Sequence, residues 1–352
     1  MPDAFAPSFT ATGVGTLPLT DPAQAVAAVT SRLTAMPYWP QLPQRDARED
    51  MNLQYAPALR PLVTADLKER MLRAHPGLGR EEALAGFYER LLAGPLEDFG
   101  LLPADAAGFF AFRETIAAAG PGAFPWLKGH VTGPLTLAAS VIGGDGKALL
   151  YDDELAEALA KGLGAAAAAQ VAQLAPLGRP VLMFFDEPFL SGYGSAFMPL
   201  SRAQAINLLA LALEEARSRC EAVFGVHCCG NTDWSLLIDA GFDVINLDSA
   251  GFGENLLLYP EALRALYTRG GAVAWGAVPA SGFTGQETAA GLWAGLKALL
   301  DRLIGLGFDR QVVARQALVT PACGMGSMRV EEALAILDLT RAVSELARAE
   351  ML

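Results

Sequence analysis

Histidine and cysteine are scarce in this chain, with three of the first and four of the second among 352 residues. Four cysteines exclude the disulfide framework that holds small secreted domains together. Positive charge is also short, 26 Lys and Arg against 38 Asp and Glu, and the basic residues are scattered singly. The counter-ion-releasing surface that nucleic acid demands is therefore missing, and no nucleic-acid partner is expected. Long apolar runs are absent as well. No segment free of Asp, Glu, Lys and Arg exceeds 17 residues, and the three that reach it (4–20, 162–178 and 270–286) all contain glycine. A spanning helix needs about 20 apolar residues, so no membrane span is expected. The opening MPDAFAPSFTATG has no basic segment followed by an apolar run. No secretory signal is read there, and the cytoplasm is the expected compartment.

What is present is a large apolar fraction, 52% hydrophobic against 18% charged, enough for a sizeable core. From about residue 120 a pattern repeats: a short β-rich run ends in a polar or Gly/Pro motif, and an Ala/Leu-rich segment of helical period follows. PWLKGHVTGP (125–134) leads to helices near 135–143 and 152–174. RPVLMFFDEP (179–188) leads to 201–220, AVFGVHCCGN to 232–241, and FDVINLDSAG (242–251) to 259–270. GAVAWGAVPAS (271–281) leads to 287–307, and ARQALVTPACG (314–324) to 330–350. SFTATGVGTLP (8–18) before a helix at 21–36, and YWPQLPQR (38–45) before helical stretches, bring the units to eight.

Continuous apolar strands separated by helices signal a parallel sheet covered on both faces. Eight units predict an α/β fold of the (β/α)8 TIM-barrel type, a single domain over 1–352 with a helical insertion around 46–120. A doubly wound open sheet is the competitor, but no GxGxxG or GxxxxGK(S/T) follows any strand. Barrel chemistry belongs at the C-terminal ends of the strands. Those ends read GTLP, PQLPQR, KGHVTGP, FDEP, HCCGN, LDSAG, VPAS and TPACG.

One histidine is followed directly by two of the four cysteines in VFGVHCCGNTDW (223–234). Residues alternate sides along a strand, so His227 and Cys229 face one way and Cys228 the other. Cys323, in TPACG, ends another strand 94 residues later. One nitrogen and two sulfurs suit zinc, with a fourth position open. Asp248, ending the next strand, is the nearest oxygen donor. Cys220 and Cys228 read as small hydrophobes, and a Cys–His nucleophile is the weaker alternative.

HCCGN, LDS and TPACG, in that order, resemble the catalytic barrel of cobalamin-independent methionine synthase. More broadly they resemble the superfamily this barrel shares with uroporphyrinogen decarboxylase and corrinoid:thiol methyltransferases. GVGTLP is similar to the family's first strand end, KGHVTGPLT to its third and FFDEP to its fourth, so the likeness covers most of the chain. It implies zinc held by His227, Cys229, Asp248 and Cys323, although the family's methionine synthases carry Glu at the Asp248 position. It implies methyl transfer to a zinc-activated thiol such as homocysteine. Asp186 would hold the amino group, and Gly15 and Thr16 would meet the carboxylate. Glu187, by alternation, should point away.

The sequence departs from that pattern in three places. Where the homocysteine enzymes carry a second acid, the DMNLQY segment offers Gln54. Where they carry a proton-donating histidine, VPASGF offers Ser281, leaving His130 in KGHVTG as the candidate proton donor. The second barrel of methionine synthase has no counterpart here. A methylated corrinoid needs no proton on its leaving group, so these departures favour a methylcobamide donor, held by a corrinoid protein or free, over methylfolate. The alternatives are a uroporphyrinogen-decarboxylase-like enzyme, for which GVGTLP lacks arginine, and a non-enzymatic corrinoid- or metal-binding barrel.

Overall fold

The computed structural model describes residues 5–195 and 198–352. Among the described residues are ten strands: β1 (Thr10–Ala11), β2 (Val63–Asp66), β3 (Met71–Ala74), β4 (Leu127–Thr132), β5 (Val141–Ile142), β6 (Val181–Asp186), β7 (Val223–Cys228), β8 (Val244–Asp248), β9 (Ala272–Val278) and β10 (Ala317–Pro321). Seven form one all-parallel sheet in the order β1-β10-β9-β8-β7-β6-β4. The gap between β1 and β4 is bridged by residues 37–41. Gln41 pairs in parallel with Thr16, and Tyr38 with Lys128. Leu17 N–H donates to the Gln41 carbonyl at 2.9 Å, and Lys128 N–H to the Pro37 carbonyl at 2.9 Å. The curled sheet is therefore a TIM-type barrel whose second stave is held by isolated bridges. Pro37 and Pro40 explain the irregularity, because each removes a ladder donor.

The helices follow the strands as the periodicity predicts. Asp153–Leu174 starts on an Asp152 cap whose carboxylate accepts from Leu155 N–H at 3.1 Å. Gly164 on this helix faces the Ala212 carbonyl of Arg202–Arg219, where a Cβ would fall 2.3 Å from the oxygen. Small residues thus let the two helices pack closely over β4 and β6. Ser249–Leu256 and Arg310–Arg315 are short helices that the hydrophobic period does not mark.

Residues 46–120 are not wholly helical. They hold the helices Arg80–Ala93 and Ala107–Ala119, and also the antiparallel hairpin β2–β3, which pairs in parallel with β5. Each hairpin strand has only four residues, too few for an alternation to be read.

The barrel interior is graded along its axis. Each strand from β6 to β10 presents apolar residues below and small or polar ones above: Leu182–Phe184–Asp186, Val223–Gly225–His227, Val244–Asn246–Asp248, Ala272–Ala274–Gly276 and Leu318–Thr320. The lower set forms one cluster with Phe5 and Met36, and Trp126 packs against it. Phe5 and Trp126 meet edge to face at 5.1 Å. Gly225 leaves room for the Phe184 ring, since a Cβ there would lie 2.2 Å from it. A much larger cluster fills the space between the sheet and the helices. No helix among the described residues is long and apolar enough to cross a membrane.

Candidate metal centre and substrate cavity

His227 and Cys323 meet across the sheet because the register of β7 and β10 brings their C-terminal ends to the same rim. One ligand atom from each of His227, Cys229 and Cys323 lies within 4.8 Å of the others. His227 is buried, and the two cysteines are half-buried at the rim. His227 Nε2 is buried without a hydrogen-bond partner among the described residues, while Nδ1 lies 2.7 Å from Asn246 Oδ1. A buried imidazole nitrogen left open beside two thiols fits a soft divalent cation with an N,S,S ligand set, and zinc best.

The thiols behave as a pair. The neighbouring Cys323 thiol, then the His227 imidazole, lowers Cys229. Cys229 in turn, with burial, raises Cys323. A bound divalent cation would favour ionisation of both. Cys228, facing the helices, is fully buried, and burial pushes its thiol up to about 12. Cys220 is likewise pushed up to about 12 by burial, and its thiol points to the Ala216 carbonyl.

Asp248 is not part of this cluster. Its Oδ1 accepts from Gly251 N–H at 3.0 Å and caps the helix Ser249–Leu256. A strand end running directly into a helix offers its carboxylate that cap, which the sequence reading left out.

The cluster opens into a cavity of about 450 Å³. Asp186, paired in register with His227, lines it with a buried Oδ1 that has no hydrogen-bond partner among the described residues. Burial raises the Asp186 carboxyl, opposed by the positive charge of Lys128 and by His227. Glu187, one residue on, points away as alternation predicts. It accepts from Leu135 N–H (2.8 Å), Thr136 N–H (2.8 Å) and Thr136 Oγ1 (2.6 Å), and burial raises it to about 7.

Thr16 lines the cavity and also fastens the loop that carries Cys323. Its Oγ1 accepts from Gly326 N–H at 3.1 Å, and its carbonyl accepts from Met325 N–H at 3.0 Å. Gly324 is required for this contact, because a Cβ would fall 2.3 Å from Thr16 Oγ1. Gly15 lies instead over His130, where a Cβ would come within 2.9 Å of the ring.

Three other expected site residues stand back from the cavity. Gln54 is buried behind it, donating to the Asp105 carbonyl (2.6 Å) and accepting from Gln41 Nε2 (2.9 Å). Gln41 is the residue that reaches the lining. His130 is 2% exposed, stacked on Trp39 at 4.0 Å, with both ring nitrogens unpartnered among the described residues. Burial, then Lys128, lowers it well below the usual histidine range. It is a covered, neutral imidazole and lines no part of this cavity. Ser281 is exposed on a loop outside the lining.

Sequence reasoning missed four polar groups. Asp50, in the segment where an acid was sought, lines the cavity, its Oδ1 accepting from Asn52 N–H at 2.9 Å. Tyr55 anchors that segment to β4, donating to the His130 carbonyl at 2.8 Å. Arg70, at the tip of the β2–β3 hairpin, overhangs the cavity with no ion pair among the described residues. Asn246 is the fourth. Its signal was a polar side chain inside an apolar strand, in step with His227.

No protein-family model matches this sequence, and no curated protein does. Among solved structures, the chain is similar to a putative vitamin-B12-independent methionine synthase from Listeria monocytogenes. That match has a TM-score of 0.57 and 16% identity, over 97% of each chain. It is also similar to a B12-independent methionine synthase from a Shewanella species, solved with selenomethionine. There the TM-score is 0.48 and identity 21%, over 68% of this chain and 67% of the other. The first match, spanning both chains almost end to end, shows that this chain has the fold of a B12-independent methionine synthase structure.

Proposed function

We propose that this chain is a zinc-dependent S-methyltransferase acting on a small amino-acid thiol, with homocysteine the best-fitting acceptor. The observation that carries this reading is the meeting of His227, Cys229 and Cys323 on the floor of a cavity that also presents Asp186. The printed name of the similar Listeria structure, a putative vitamin-B12-independent methionine synthase, supports methyl transfer to homocysteine. When bound, zinc would supply the Lewis acidity that keeps a substrate thiol ionised at neutral pH.

The chain's own groups bind and orient the substrate. Asp186 and Asp50 offer negative charge for an ammonium. Thr16 and Arg70 offer hydrogen-bond donors and a positive charge for a carboxylate. Buried Lys128, beside Asp186, supports its ionised form. Among the described lining residues His227 is the only imidazole, so the cavity presents no separate histidine to protonate a leaving group. That favours a methylcobamide donor, free or on a corrinoid protein, over methylfolate. A uroporphyrinogen-type decarboxylase would need several cations, and the described lining offers one arginine. We read 1–352 as one methionine-synthase-like barrel in which 46–120 is the insertion. Its open thiols suit the reducing cytoplasm.

The test incubates zinc-loaded protein with homocysteine and either methylcobalamin or methyltetrahydrofolate, and follows methionine. We expect methionine from methylcobalamin and none from a Cys323→Ser variant. Methionine from neither donor overturns methyl transfer, and methionine from the folate alone overturns the choice of donor.

A further inference from the structure

Asn246 is fully buried in the middle of β8. A buried amide is costly unless its groups are paired, and here they are. Nδ2 donates to the Ala274 carbonyl on β9 at 2.7 Å and to Thr320 Oγ1 on β10 at 2.9 Å, while Oδ1 faces His227 Nδ1 at 2.7 Å. A backbone carbonyl only accepts, so the amide nitrogen must face Ala274 and the amide oxygen must face His227. An amide oxygen also only accepts, so His227 Nδ1 must carry the ring proton. The lone pair of a neutral imidazole then sits on Nε2, the nitrogen left without a partner.

The reach to β10 depends on what β9 presents. Asn246 is in register with Ala274, and Ala274 with Leu318. The small Ala274 side chain lets the amide pass over β9 to Thr320, two residues beyond Leu318. A branched side chain there would fill the space.

We propose that Asn246 is a positioning residue. It locks His227 in the Nδ1–H tautomer and, through Thr320, ties His227 to β10, the strand that ends two residues before Cys323. This rests on the reading of His227, Cys229 and Cys323 as a metal centre, and it names what prepares that centre before any ion arrives. The opposite tautomer would aim an N–H at the cation, and an untied β10 would leave Cys323 without a fixed approach. Groups that orient metal-binding imidazoles in this way commonly change affinity 10–100-fold when removed.

Two measurements test it. In competition with a chromophoric chelator, Asn246→Leu should bind zinc roughly 10–100-fold more weakly. Asn246→Asp, which keeps an acceptor toward His227 but sets a carboxylate oxygen against the Ala274 carbonyl, should keep the Nδ1–H tautomer while losing part of the zinc affinity. In metal-free, histidine-labelled protein, heteronuclear NMR should place the His227 proton on Nδ1 in wild type and move it, wholly or partly, to Nε2 in Asn246→Leu. An Nε2–H wild type, or a folded Asn246→Leu variant with unchanged zinc affinity, overturns the proposal. Should Asn246→Leu fail to fold, the wild-type spectrum and a Thr320→Val variant, expected to weaken zinc binding less, decide it. An Nδ1–H spectrum in a protein that takes up no zinc supports the positioning role and overturns only the metal reading.

Discussion

Cys228 and Cys229 are neighbours in the chain and opposites in environment. Cys228 faces the helices among aliphatic and aromatic side chains, where burial holds its thiol up at about 12. Cys229 faces the barrel mouth, where Cys323 and His227 lower it. Cys228 ends β7 and Cys229 opens the bend that follows, so the two side chains leave the strand end on opposite sides of the sheet. The same contrast runs along the barrel axis. The floor, built from Phe5, Leu182, Phe184, Val223, Val244 and Leu318, is apolar throughout. The rim, two to four residues further along each strand, holds Asp186, His227, Asn246 and Thr320. Apolar packing is concentrated below and polar side chains above, and the two are separated by about two residue steps.

The contrast across the sheet can be broken by exchanging hydroxyl for thiol on each face. Cys229→Ser should weaken zinc binding on the order of 100-fold or more, since it removes a ligand and not only its support. Cys228→Ser should leave zinc affinity near wild type. It should lower stability by about 1–3 kcal/mol, because a hydroxyl replaces a small hydrophobe in an apolar setting. Chelator competition and urea unfolding of both variants check this. Equal effects at the two positions would mean that the two sides of the sheet do not separate their roles.

The axial contrast is sharpened by Lys128, a fully buried ammonium between floor and rim. Its Nζ donates to the Val14 carbonyl and lies 4.5 Å above the Phe184 ring. Burial lowers it from 10.5 to about 8, with Asp186 opposing the shift. Between those values the folded chain binds fewer protons than the unfolded one, so stability rises with pH across that window. The gain reaches about 3 kcal/mol at most. Lys128→Met should remove that rise, so the variant's advantage over wild type in metal-free urea titrations should be largest below pH 8 and shrink toward pH 10.5. A difference that does not change with pH would show that the ammonium is not held at a cost.

The half of the barrel from β6 to β10 was legible because each strand is an apolar run ended by a polar motif. The pairing of His227 with Cys229 followed from strand alternation. Cys323 was legible because its motif ends a strand of the same kind. The opening staves were harder, since Pro37 and Pro40 break the ladder and leave only bridges. Asp248 was expected beside the cluster as the nearest oxygen donor, and strand alternation says nothing of the helix beginning at Ser249, whose Gly251 N–H engages its Oδ1. His130 and Gln54 read as site residues by motif, yet one lies under Gly15 and the other behind Gln41. Asp50 and Arg70 reach the cavity only through the path of an insertion whose hairpin strands are too short to show a period.

The central claim is that one ion is held by an imidazole and two thiolates drawn from two distant strands. X-ray absorption at the zinc edge of purified, zinc-loaded protein tests it most directly. The account predicts one tightly held zinc per chain with two sulfur scatterers and one imidazole. A zinc surrounded only by oxygen and nitrogen, or a protein that takes up none, would contradict it.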